Sequence, residues 1–136
     1  MFVIVWFLAI GALVGSWFLL DYVTELRARR YLLAAVANSS GVRLNGEPVA
    51  DPSVVLTALG GLAHVPAHHS GPTAAIRVTL MRGADSVPVV IARDSKRPEE
   101  FWVYRPGSNW NNDPLGQAAG RVISTSLANL LSQRNL

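Results

Sequence analysis

The sequence predicts an α+β protein: an N-terminal transmembrane helix with a helical stalk, then a small antiparallel sheet of about three to four strands packed by two helices. Three observations carry this. Phe2 to Leu20, FVIVWFLAIGALVGSWFLL, contains no charged side chain, and its polar content is the hydroxyl of Ser16. Short runs near residues 74–81, 87–92 and 101–105 alternate or cluster apolar residues between turn signals, as strands do. Asp51-Pro52 and Asp113-Pro114 each place a capping acid and a proline ahead of an apolar stripe, the signature of a helix start.

The first run sets the organisation. About 20 apolar residues at roughly 1.5 Å rise span a hydrocarbon core of about 30 Å. In lipid every backbone donor and acceptor must be satisfied within the segment, so the run is expected to be helical. No basic residue precedes it, it is too long for a signal peptide, and SWFLLDY offers no small-x-small cleavage site. The division is therefore a transmembrane anchor over 1–20, a juxtamembrane helical stalk and linker over 21–40, and a small α+β domain over 41–136. Gly11 and Gly15 form a GxxxG pair, which marks a face for helix association in lipid.

Arg27, Arg29 and Arg30 follow the run and no Lys or Arg precedes it. The positive-inside bias places the C-terminal domain in the cytoplasm of a single-pass membrane protein. Val23, Leu26, Leu33 and Val36 keep a helical period through the stalk, and Glu25 stands four residues ahead of Arg29 in the favourable ion-pair order. Asn38-Ser39-Ser40-Gly41 reads as the stop.

In the domain, Asn45-Gly46 between short arms predicts a type I′ turn, with Pro48 confining its strand to an edge. Val55, Leu59 and Leu62 form the stripe of the helix after Asp51-Pro52. Ile76, Val78 and Leu80 alternate with Arg77, Thr79 and Met81, and Val87, Val89 and Ile91 return after the turn Gly83-Ala84-Asp85-Ser86. Pro88 argues that this strand lies near an edge or starts pairing late. The last helix is read from Asp113-Pro114 to about Ser132, with Leu115, Ala119, Val122, Ile123, Leu127, Leu130 and Leu131 as its apolar face.

The basic pI of about 10.0 carries no nucleic-acid signal. Residues 41–136 hold nine basic against seven acidic side chains, interspersed, with no recognition-helix pattern. Cysteine is absent, so no disulfide framework is available.

Three features bear on function. His64, His68 and His69 cluster in sequence, and two or three of them with Asp94 or Glu99 make a weak candidate metal site, but Pro66 interrupts any shared helical face. Ser70 beside His69 invites a triad with Asp94, yet no nucleophile elbow surrounds it. Strand alternation puts Trp102 and Tyr104 on one side; if helices cover only the other, these rings, joined by Trp110, form an exposed interaction surface. The expectation is a non-enzymatic accessory or interaction module of a membrane assembly, without cofactor or nucleic-acid partner. Its partners are the bilayer and, through the anchor, another membrane protein or itself. A small ligand- or metal-binding domain using the histidine loop is the alternative.

Overall fold

A computed structural model describes residues 2–64, 70–104, 107 and 118–136. Within the first helix, side chains are described at 15, 16, 19 and 20 and from 22 onward. The order is α1 (Phe2–Ala37), β1 (Gly41–Leu44), β2 (Glu47–Pro48), α2 (Ser53–Gly60), β3 (Pro72–Arg82), β4 (Asp85–Asp94), β5 (Glu100–Tyr104), β6 (Ala118–Ile123) and α3 (Thr125–Gln133). The strands form one antiparallel sheet, β2-β1-β3-β4-β5-β6. The α+β class stands, with six strands where three to four are expected.

The helices pack on one face. Val42, Leu44, Ile76, Val78, Leu80, Val89, Ile91, Phe101 and Val103 share a buried cluster with Val55 and Leu59 of α2 and Leu127 and Leu131 of α3. The second half of α1 belongs to the same cluster: Ala28, Leu32 and Ala35 are buried, and Leu33 and Val36 pack against them. The segment read as a stalk is thus a cover of the sheet. It crosses the strands. At its C-terminal end Ser40 N–H donates to Met81 O on β3 at 2.8 Å. Leu32 and Val36 meet Leu80, Val89 and Val103 in mid-sheet, together with Leu59 and Leu62. At Arg29, α1 has reached β6, where the Nε donates to Ala119 O at 3.5 Å.

Among the described residues no helix is long and apolar enough to cross a membrane. Most side chains of the 2–20 run lie outside what is described; its backbone, Gly11 and Gly15 included, is the continuous first half of α1.

Local chemistry explains most elements. Asn45 and Gly46 take φ of 49° and 93°, the left-handed pair of a type I′ turn. The helix after Asp51-Pro52 forms, but its N-cap is Pro52, one residue later than expected; Asp51 Oδ1 accepts from Ser53 N–H at 3.0 Å in the turn that leads into it. Gly83-Ala84 closes the β3–β4 hairpin between Arg82 and Asp85. Pro88 tolerates a central strand because β5 pairs with β4 only from Val90 on.

The last helix needs correction. Ala118–Ile123 is strand β6, and α3 starts after it, with Ser124 Oγ accepting from Leu127 N–H at 3.1 Å. Ala119 and Val122 fit a helical period by coincidence, while Ile123 is 61% exposed and Gly120 is a poor helix residue. Tertiary pairing with β5 decides the outcome.

Both sheet edges are closed. Pro48 has no N–H, and its carbonyl accepts from Arg134 Nη2 at 3.1 Å. On the far edge Ala63 and Arg121 exchange backbone hydrogen bonds of 2.9 and 2.8 Å. This exchange needs Gly120, since a Cβ there would stand 2.4 Å from Ala63 O and 3.0 Å from Leu62 Cδ1. Gly120→Ala should therefore cost about 1–3 kcal/mol by overpacking. Thermal melts of the full chain in mild detergent check this; an unchanged midpoint would show that the end of α2 moves aside freely.

Candidate functional site

The polar centre lies where β3 begins and β4 ends. Asp94, the last residue of β4, is 3% exposed. Its Oδ2 accepts from Ser70 Oγ at 2.8 Å and from the Trp102 indole Nε1–H at 3.1 Å. Its Oδ1 accepts from the backbone N–H groups of Lys96 and Arg97 at 2.8 and 3.0 Å. Burial acts to raise the pKa of this carboxyl, but the four hydrogen bonds outweigh it and hold the group below the ordinary carboxylate value. The result is a stable anion that ties the turn after β4 to β5 and to the start of β3. A carboxylate so occupied is a poor proton acceptor. Ser70 donates directly to it, so this hydroxyl proton is held by a carboxylate that is already occupied by its own fold.

Trp102 and Tyr104 do share one face, as alternation requires, but they are not a surface. They are 1% and 0% exposed, in a second cluster with Ala92, against which Ala75, Val90 and Ala118 pack. The register shows how the sheet makes room for them. Trp102 stands opposite Ala92, and Tyr104 stands opposite Ala118 and Val90, so each large ring has a small cross-strand neighbour. The exposed pair expected from sequence is therefore corrected to a small second core. Burial also pushes the Tyr104 hydroxyl well above its usual pKa, keeping it neutral. Trp110 lies outside the described residues.

Of the three histidines, His64 lies among the described residues. His64 Nδ1 lies 2.8 Å from Glu25 Oε1, and the same carboxylate pairs with Arg29 one turn along α1. Glu25 thus links α1 to the end of α2. His68 and His69 lie outside the described residues, and no group of metal-ligating side chains occurs among the described ones.

Glu100, which composition and spacing do not single out, is fully buried at the start of β5. Its Oε2 receives Arg97 Nη1 at 3.2 Å and Arg121 Nη1 at 3.1 Å, joining the turn after β4 to β6. The signal for it was weak: an acid in a polar stretch just ahead of an aromatic strand. One open cleft of about 330 Å³ lies between α2 and the β6–α3 junction, lined by Ser53, Thr57, Ser124, Ser126 and the exposed Ile123.

Comparison with protein-family models, with curated proteins and with solved structures finds no match to the chain. The functional reading rests on the residues themselves.

Two measurements test this site. Trp102→Ala should cost about 3–5 kcal/mol, because it empties the second core and removes a donor from Asp94. The melting midpoint of the full chain should then fall by more than about ten degrees; a fall of only a degree or two would return the ring to the surface. Asp94 contributes to the acid limb. Its folded pKa is depressed, so its stabilisation is complete above the unfolded carboxyl value of about 3.9 and is lost as pH falls through the lower folded value. Stability should decline below about pH 4. Asp94→Asn should flatten that decline while lowering stability at neutral pH by about 1–3 kcal/mol, as denaturant titrations across pH will read.

Proposed function

We propose that the chain is a single-pass membrane protein whose α+β domain is held at the bilayer surface as a non-enzymatic accessory or interaction module of a membrane assembly, with the domain in the cytoplasm. One observation carries the reading. The charge-free run Phe2–Leu20 is the first half of the same helix whose second half supplies Ala28, Leu32 and Ala35 to the domain core. From Leu20 to Ala28 is eight residues, about 12 Å of helix, so a membrane-spanning run would hold the domain against the headgroups. The strand closest to the run is β6, and β1 lies toward the other end of α1.

The side favoured for the domain follows from Arg27, Arg29 and Arg30 after the run and none before it. Interaction is favoured over catalysis because Ser70 and Asp94 are bound to each other and to their own fold. Gly11 and Gly15 offer the anchor a face for a second membrane helix or a second copy.

The chain should stay with membranes through alkaline carbonate extraction. A C-terminal alkaline phosphatase fusion, active only after export, should be inactive. Release by carbonate would remove the anchor; strong phosphatase activity would keep the anchor and reverse the topology.

A further inference from the structure

The three arginines after the apolar run have different surroundings. Arg29 faces the sheet: its guanidinium pairs with Glu25 and donates to Ala119 O, and its side chain is 19% exposed. Arg27 and Arg30 are exposed on the opposite face of α1, beside Tyr31, which is 50% exposed. Their guanidinium groups make no ion pair with a described residue. Just ahead of them Leu19, Leu20 and Tyr22 are 64%, 65% and 57% exposed, a set of large apolar groups that the protein itself leaves uncovered.

We infer that Arg27 and Arg30 form a binding surface for anionic lipid headgroups, whereas Arg29 is structural. The inference rests on the anchor reading and extends it to a lipid class. Geometry supports it. Arg27 and Arg30 lie seven and ten residues beyond Leu20, or about 10 and 15 Å along the helix. Helical side chains reach back over the preceding turn of about 5 Å, toward the N-terminus. The two charges therefore stand about 5 and 10 Å past the end of the apolar run. The headgroup layer is roughly 5–7 Å deep on each side. Arg27 falls inside it, and Arg30 stands about 3–5 Å beyond it, still within a Debye length of the surface charge. Leu19 and Leu20 then enter the apolar side of the interface, and Tyr22 takes the interfacial level that suits an amphipathic ring. Each arginine so placed favours an anionic surface by about fivefold at low salt.

The test uses the full chain in phosphatidylcholine bilayers containing a minor fraction of phosphatidylglycerol. Tryptophan quenching by brominated phosphatidylglycerol, compared with brominated phosphatidylcholine, reads the lipid preference at the protein boundary. The wild type should prefer phosphatidylglycerol several-fold, and molar salt should erase the preference. R27Q/R30Q should bring it close to one, with the melting midpoint unchanged. R43Q/R77Q, which alters exposed arginines on β1 and β3, should retain the wild-type preference. Equal preference in wild type and R27Q/R30Q, or none in the wild type, overturns the inference while leaving the anchor intact. A chain that does not incorporate into the bilayer overturns the anchor reading and this inference together.

Discussion

The contact on which the rest depends is the stripe Ala28, Leu32, Ala35 of α1 against the sheet. Two alanines let the helix backbone approach the strands closely, and Leu32 fills the space between them at 2% exposure. At roughly 25 cal/mol per Å² of apolar surface, burying one leucine contributes about 2 kcal/mol, a sizeable part of what a domain of this size has. Without α1, Leu80, Val89 and Val103 lose part of their cover in mid-sheet. The unit that folds therefore begins within α1, and a fragment starting at Gly41 would lack a wall of its own core.

That contact also sets how the charged groups are used. Once α1 lies on the sheet, Glu25 and Arg29 are drawn inward, toward His64 and Ala119. Arg27 and Arg30 are left outside. Three arginines that are equivalent in sequence thus become one structural group and two charges with no ion-pair partner among the described residues. A comparable arrangement occurs at Glu100, where Arg97 and Arg121 both face one buried carboxylate, which offsets one of their two charges.

Where local chemistry decides the structure, the sequence was legible. The Asn45-Gly46 turn, the Asp51–Ser53 turn ahead of α2, the β3–β4 hairpin and the alternation along Phe101 to Tyr104 all follow from a few adjacent residues. Where distant pairing decides, it was not. Ala119 and Val122 suit a helix or a strand equally, and only the pairing with β5 selects the strand. The burial of Trp102 depends on Ala92 opposite it and on Asp94 beneath its indole, partners set by register and not by spacing. Alternation pairs the two rings, but their side cannot follow from one-sided helix cover, because the small cross-strand residues Ala92 and Ala118 make room for a second core.

A buried Trp102 and Tyr104 move the question of partners to the surfaces that α1 presents. A domain on a flexible linker samples many heights and orientations, and its effective concentration near a membrane partner falls with linker length. A domain whose own core contains the continuation of the anchor helix does not. Under the anchor reading, its height above the bilayer is set by the eight residues from Leu20 to Ala28, and its rotation by the Ala28–Leu32–Ala35 stripe. Any helix that packs on Gly11 and Gly15 would then fix the domain's azimuth as well, because no hinge separates the two halves of α1. Such a connection favours a part that must meet its partner in one geometry, and it disfavours a tethered domain that searches for loose substrates.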